Sequence, residues 1–146
     1  MSREIKFRGK PADNREWVYG YLKKHNDGVY EIIVSSERTF THNINGKPFY
    51  RIISETHDVI PETVGQFTGL HDKNSTETYE DDIVRVKQAR GVTVDYGFFE
   101  TVGQIFFANG SYYIGGQGFP LSNVKSSDFE VIGNIHDNPE LLVVTP

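Results

Sequence analysis

The sequence predicts a mainly β fold whose helices are no longer than short turns. Aromatic residues make up 13% of the 146-residue chain, and short β-branched and aromatic segments alternate with Gly, Asn, Asp and Pro. Segments of this kind are typical of strands that are joined by tight turns. No window of helix length shows an apolar repeat of 3.6 residues, and this argues against long helices.

Three strands are predicted in the N-terminal part, over residues 5–10, 17–22 and 30–34. In the first, Ile5 and Phe7 alternate with basic residues, as expected of a half-buried strand. The Asp27-Gly28 step predicts the hairpin between the second and third strands, because glycine accepts positive φ.

Residues 35–58 fit no regular pattern as a whole. The Asn45-Gly46 step predicts a turn, and residues 50–53 predict a strand. We interpret the segment as a long excursion or an inserted hairpin, and its role stays open.

Six further strands are predicted, over residues 64–67, 83–87, 92–99, 102–108, 112–114 and 129–135. The Asn109-Gly110 step indicates a tight hairpin between the fourth and fifth of these. Asn138, Pro139 and Glu140 resemble an N-cap, a first-turn proline and an acidic first turn, which predict a short helical turn.

The composition excludes several classes of chemistry. There is no cysteine, so disulfides, thiolate metal sites and a cysteine nucleophile are excluded. No apolar segment approaches the roughly 20 residues of a membrane span. The first eight residues are charged and alternating, without the apolar core of a secretory signal. We therefore expect a cytoplasmic protein that makes no membrane contact.

Charge is distributed unevenly along the chain. The net charge is -5, but residues 1–25 carry seven basic and three acidic side chains, whereas residues 55–82 carry one basic and eight acidic side chains. An acidic protein repels nucleic acid at long range. The opposite charges of the two segments could meet between subunits of a salt-sensitive homo-oligomer, or within one chain.

Four blocks of sequence resemble the YopX-like proteins, a family of uncharacterised phage and prophage proteins. The blocks are residues 3–10 with 17–20 (REIKFRGK, WVYG), 60–70 (IPETVGQFTGL), 72–74 with 79–80 and 82–84 (DKN, YE, DIV), and 128–135 with 138–142 (DFEVIGNI, NPELL). The chain departs from the family pattern at Ser75 and Asp81, where the family usually has glycine. We expect both turns to persist in altered form, because these residues tolerate positive φ less well than glycine.

The resemblance implies an all-β fold related to SH3-type barrels, either an SH3-like roll or a partly open barrel. It also implies one domain over residues 1–146, with a subdivision near 55–60 if the chain forms two small β units. It implies a phage or prophage origin and action in the host cytoplasm. It implies no reaction, so there are no catalytic residues to carry over.

Two groups of polar residues raise the question of metal binding or acid–base chemistry. The His-Asp pairs at 57–58, 71–72 and 136–137 have side chains that bind divalent metals, but such pairs are also common in turns. Glu80, Asp81 and Asp82 place three carboxylates together, but a solvated corner has the same sequence. We favour turns and a solvated corner, and predict no metal site and no cofactor.

The N-terminal hairpin offers a candidate contact surface. Its residues are Lys6, Arg8 and Lys10 on the first strand, with Trp17 and Tyr19 on the second, where Tyr21 shares the face of these two rings. Small β-barrels bind single-stranded nucleic acid through such combinations of cations and aromatic rings. The alternative, which we favour, is that the aromatic side chains form the core and the basic side chains form the wet face of the sheet.

We therefore predict a non-enzymatic interaction module that contacts itself or a host or phage protein. A nucleic-acid-binding accessory protein is the second hypothesis, and a metal-dependent enzyme is the third.

Overall fold

The computed structural model describes residues 3–13, 16–89, 98–115 and 120–142, except for the side chains at positions 88, 89, 98 and 99. In these residues the chain forms antiparallel strands and short 3-10 helices, which confirms the all-β prediction. The strands are β1 (Phe7–Gly9), β2 (Val18–Lys24), β3 (Tyr30–Ile44), β4 (Lys47–Val59), β5 (Gly65–His71), β6 (Glu77–Tyr79), β7 (Asp82–Ala89), β8 (Phe98–Ala108), β9 (Ser111–Ile114) and β10 (Phe129–Asn134). The 3-10 helices are Pro61–Thr63, Leu121–Asn123, Ser126–Asp128 and Pro139–Leu142.

The chain folds into two compact units. The N-terminal unit is Ile5–Gly65, and the C-terminal unit is Gln66–Pro146 together with Met1–Glu4. The predicted division of the domain near residues 55–60 stays a prediction. Among the described residues, no helix has the length and apolar character that crossing a membrane requires.

In the N-terminal unit, four strands form an antiparallel meander in the order β4-β3-β2-β1. Ile32 and Val59 are among its buried apolar side chains, and Gly9 packs directly on Val59. The 3-10 helix that follows β4 is fixed to the end of β1, because the Lys10 N–H donates to the Thr63 hydroxyl at 2.9 Å and the Ile60 N–H donates to the Lys10 carbonyl at 2.8 Å.

In the C-terminal unit, four strands pair in the order β10-β7-β8-β9, and β5 pairs with β6. β7 alternates so that Val84 and Val86 are fully buried. The core cluster consists of Val84, Val86, Ile105, Ile114, Leu121, Val124 and Phe129. The predicted strands at 83–87, 102–108, 112–114 and 129–135 therefore supply most of this core.

In the part of the chain that the structure describes, four turns place a residue other than glycine at positive φ. Asn45 and Asn109 each precede a glycine that is also at positive φ, which is the geometry of a tight two-residue hairpin turn. The predicted turn at Asn45-Gly46 and the predicted hairpin at Asn109-Gly110 are therefore confirmed. Ser75 (φ 63°) and Asp81 (φ 70°) also adopt positive φ, a conformation that favours glycine.

Of the two interpretations left open for residues 35–58, the inserted hairpin is confirmed, because β3 and β4 run through this segment as one long hairpin. The strand predicted at 92–99 falls mostly on residues 90–97, which lie outside the described part of the chain. The predicted helical turn after Asn138 is the 3-10 helix Pro139–Leu142.

Candidate protein-interaction surface

The outer part of the β3–β4 hairpin, residues 34–56, forms a two-stranded ribbon that we call the arm. β2 pairs with β3 only as far as Ile33, so beyond that residue β3 and β4 are paired with each other. The turn at Asn45 (φ 49°) and Gly46 (φ 76°) closes the ribbon, because its twist matches that of the strands. At roughly 3.3 Å per residue the arm is about 35 Å long.

Every residue of the arm is exposed. The exposed large apolar side chains are Val34, Phe40, Ile44, Phe49, Tyr50, Ile52 and Ile53. The most exposed of them is Ile52, at 65%. Monomeric soluble proteins rarely expose large contiguous apolar patches, and a lone two-stranded ribbon is marginally stable in water. These properties are typical of a surface that another macromolecule covers.

The first face of the arm carries an aromatic and cationic cluster. Phe40 lies opposite Tyr50, and Arg38 lies opposite Ile52. The rings of Phe40 and Tyr50 meet edge to face with centroids 6.1 Å apart, and the Arg38 guanidinium lies 4.1 Å from the centre of the Tyr50 ring. An apolar partner could therefore bury rings that are already ordered by one another.

The second face carries Arg51, Ile53 and Glu55 at alternate positions of β4. Across the ribbon, Arg51 lies opposite Thr39, and Ile53 lies opposite Glu37. At the tip, His42 stacks on Phe49 with centroids 5.8 Å apart. This face therefore combines an apolar centre with separated charges of both signs.

The N-terminal hairpin differs from the interpretation that we favoured, in which aromatic side chains form the core and basic side chains form the solvent-exposed face of the sheet. Arg8 lies directly opposite Tyr19 in the β1–β2 register, so the basic and aromatic side chains share one face of the sheet. The Arg8 guanidinium lies 4.5 Å and the Lys10 ammonium 5.3 Å from the centre of the Trp17 ring. Lys6 and Trp17 are half-buried.

Two burial expectations for this hairpin are wrong. Tyr19 and Tyr21, expected in the core, are 42% and 68% exposed. Arg8, expected on the wet face, is only 6% exposed. The pairing register explains both results, because it brings the two sets of side chains onto one face, where Arg8 packs against the half-buried Trp17.

The His-Asp pair at 71–72 serves a structural role through its aspartate. One Asp72 oxygen accepts from the backbone N–H groups of Asn74 and Thr76 at 2.8 and 2.9 Å, and the other accepts from Val131 at 2.9 Å. Burial alone would raise the pKa of Asp72, but these N–H donors outweigh it and hold that pKa below its ordinary value.

The pair at 136–137 is part of a turn around Asn134. The Asn134 side-chain oxygen accepts from the backbone N–H groups of His136 and Asp137 at 3.0 and 2.9 Å, and its amide donates to the Asp137 carboxylate. The pair at 57–58 lies at the base of the arm, where His57 is 3.1 Å from the Glu55 carboxylate. The preferred turn interpretation thus fits 71–72 and 136–137, whereas 57–58 lies in β4.

The three carboxylates at 80–82 point to three different sets of partners. Asp82 is buried and accepts from the Tyr79 N–H at 2.7 Å, so the expectation of a solvated corner is wrong for it. Asp81 accepts from the Gln104 amide at 3.0 Å and lies 3.3 Å from His136. Glu80 accepts from the Gln66 N–H at 2.7 Å; burial raises its pKa, with a further contribution from Asp81. In the described ranges, no group of three or more His, Cys, Asp or Glu side chains is arranged to hold a metal ion.

A cleft of about 360 Å³ in the C-terminal unit is lined by charged residues. Lys73 pairs with Glu130 at 3.2 Å, and Arg85 pairs with Glu100 at 3.4 Å. Because cations and carboxylates balance one another along its walls, the cleft has no strong preference for a ligand of either charge.

Together, the antiparallel sheets and the exposed arm define a class: an all-β protein that presents a long β-hairpin. The chain belongs to the YopX family, since the family model described as "YopX protein" matches residues 6–143. It is also similar to a solved structure, that of protein EF1440 from Enterococcus faecalis. The two share 25% sequence identity and a TM-score of 0.64 over 97% of this chain and 100% of that one. A search of curated proteins finds no match.

Proposed function

We propose that this chain is a non-enzymatic interaction module of a phage or prophage that acts in the host cytoplasm through protein–protein contacts made by the arm. The observation that supports this is the full exposure of the arm together with its apolar side chains. Covering such side chains is favourable by roughly 25 cal/mol per Å² of apolar surface. A partner also supplies the packing that a lone ribbon lacks.

The polar groups of the C-terminal unit support the non-enzymatic part of the proposal. The Asp72 and Asp82 carboxylates are nearly inaccessible and already accept hydrogen bonds from backbone N–H groups. Asp81 and Glu80 likewise hold neighbouring segments. Carboxylates that accept such hydrogen bonds stabilise the fold, and this structural role is enough to explain their positions.

Capture from extracts of infected host cells tests the proposal. The wild-type chain is compared with the double variant Phe40→Ser/Ile52→Ser, which removes apolar surface from the first face of the arm. Tyr21→Ser is the matched control, because Tyr21 is an equally exposed aromatic residue outside the arm. We expect a specific protein to be retained by wild type and control, and at least tenfold less by the arm variant. Equal retention by all three would overturn the proposal.

Nucleic-acid binding is the second candidate function, and the Arg8–Tyr19 register favours it. The shared face places Lys10 beside Trp17 and an exposed Tyr19, and such surfaces stack single-stranded bases. Titration with single- and double-stranded oligonucleotides at low salt is the test. Binding that Tyr19→Ser weakens would support this candidate, and no binding at tens of micromolar protein would reject it.

A further inference from the structure

We propose that the outer edge of β4 pairs with the same edge of a second copy of this chain, antiparallel and centred on Ile53. This inference rests on the proposed function, since it names the partner of the arm. The pairing joins two ribbons into one four-stranded sheet across a two-fold axis. It is isologous, so each copy contributes the same residues.

The edge of β4 is suited to pairing, and the edge of β3 is not. β4 lies at one end of the N-terminal sheet, and it pairs with β3 without an extra residue over all of Lys47–Val59. β3 carries the extra residue at both bulges of the ribbon, at Val34 and at Thr41. Bulges interrupt a ladder and are a common means of protecting an edge.

The register follows from charge. Around Ile53, β4 has Arg51 two positions before and Glu55 two positions after, all on the second face of the arm. When two copies run antiparallel about Ile53, Arg51 lies opposite the partner's Glu55, and Glu55 lies opposite the partner's Arg51. Opposite charges in directly opposed positions stabilise a strand pair, and like charges destabilise it. A two-fold pairing centred on any neighbouring residue does not match these charges.

Arg51 is available for this contact. The residue directly opposite it in its own ribbon is Thr39, and in the described part of the chain Arg51 makes no ion pair. Glu55 is 61% exposed and its neighbour His57 is 3.1 Å away, so its carboxylate keeps a free side towards a partner.

The same register uses β4 from Phe49 to His57, because Pro48 has no N–H to donate to a partner strand. Ile53 is the midpoint of Lys47–Val59, so the two arms overlap from tip to base. Phe49 then lies opposite the partner's His57. At that end of β4 the N-terminal unit has a depression of about 490 Å³, lined by Pro11, Ala12, Asp13, Thr56, His57 and Asp58, which has room for the ring.

Charge reversal tests the register on the full chain, with mass measured by light scattering across a range of protein concentrations. Wild type is expected to dimerise. Arg51→Glu and Glu55→Arg should each raise the dimer dissociation constant about tenfold or more, because two opposed pairs become repulsive at once. The double variant should restore the dimer. An equimolar mixture of the two single variants should form a heterodimer, since each then supplies the charge that the other lacks.

A single introduced cysteine gives a second readout that does not depend on affinity. The chain has no cysteine, so Ile53→Cys can form only an intermolecular disulfide. Directly opposed positions of antiparallel strands have Cα separations that suit a disulfide. We expect Ile53→Cys to cross-link under mild oxidation, and Ile52→Cys, on the opposite face and off the axis, to cross-link at least tenfold more slowly.

The possible failures are distinguishable. A wild type that stays monomeric and an Ile53→Cys variant that does not cross-link would overturn the self-pairing. The proposed function survives that result if Phe40→Ser/Ile52→Ser still loses a specific host or phage protein. If wild type dimerises, equal cross-linking at positions 52 and 53, or no heterodimer from the mixture of Arg51→Glu and Glu55→Arg, would overturn the register.

Discussion

The Asp72 carboxylate accepts a hydrogen bond from the Val131 backbone N–H at 2.9 Å, which joins positions 59 residues apart in the chain. The other carboxylate oxygen closes the turn that follows, through the N–H groups of Asn74 and Thr76. The Lys73 N–H also donates to the Phe129 carbonyl at 3.0 Å. One buried side chain thus holds a turn against β10.

We expect Asp72→Asn to destabilise the protein by about 1–3 kcal/mol at pH 7, because an amide nitrogen would face an N–H donor in a buried position. The folded-state pKa of Asp72 lies below its ordinary value of 3.8. Its stabilising contribution is therefore complete above about pH 4 and is lost as the pH falls through the folded-state pKa. Urea unfolding at pH 7 and pH 3 should show that the difference in free energy of unfolding between wild type and Asp72→Asn is smaller at pH 3.

Asp58→Asn is the matched control for this prediction. Asp58 is exposed, so its replacement should change the free energy of unfolding by no more than about 0.5 kcal/mol at either pH. If Asp72→Asn lowered the free energy of unfolding by the same amount at both pH values, the charge of Asp72 would not be what stabilises the turn.

Ser75 is the simplest place to gain stability. It is exposed and held at φ 63°, a conformation that costs a residue with a Cβ roughly 1 kcal/mol or more relative to glycine. Glycine loses more entropy on folding, so we expect Ser75→Gly to stabilise by up to about 1 kcal/mol. Ser122→Gly, at an exposed position without positive φ, should instead be neutral or destabilising. Thermal unfolding of the two variants measures the difference, and a lower melting temperature for Ser75→Gly would contradict the argument.

The sequence predicted most of the C-terminal core because each strand carries its own signal. Alternating β-branched residues mark β7, and Asn109-Gly110 marks the turn between β8 and β9. The arm was only partly predicted, for a physical reason. Strand patterns depend on one buried and one wet face, and both faces of this ribbon are exposed, so its side chains follow no such alternation.

The contacts at the N-terminal hairpin could not be predicted, because they depend on register. A shift of one residue in the pairing of β1 with β2 would move Arg8 to the side of the sheet opposite Tyr19. The sequence Pro11-Ala12-Asp13-Asn14 predicts a turn between the two strands without fixing its length, so the register does not follow from it. The hydrogen bond between Asp72 and Val131 could not be predicted either, because the sequence around one of these residues does not identify the other.

Gly103 on β8 is expected to tolerate no side chain. A Cβ there would lie 2.2 Å from the Gly115 carbonyl oxygen and 2.7 Å from the Ile114 side chain. Gly103→Ala must therefore separate β8 from the end of β9, and we expect a loss of about 2 kcal/mol or more. Gly115→Ala is the control, because its Cβ would meet its nearest neighbour at 3.4 Å. Chemical unfolding should rank Gly103→Ala well below Gly115→Ala, and equal stabilities would contradict the close packing.

Shortening the arm should leave the N-terminal unit intact. Ser35 lies opposite Glu55, so replacing residues 36–54 by Asn-Gly closes a two-residue hairpin in the existing register. No residue that is removed is buried, and a shorter connection costs little entropy. We expect the free energy of unfolding to change by about 1 kcal/mol or less when it is measured at submicromolar protein, where self-association adds nothing. Ile32→Ala, which empties a fully buried site at the base of the same strand, should cost about 2–5 kcal/mol. If the shortened chain lost as much free energy of unfolding as Ile32→Ala, the arm would be part of the folding core. If the shortened chain keeps its stability, the exposed apolar residues of the arm have no role in folding, which is what an interaction surface requires.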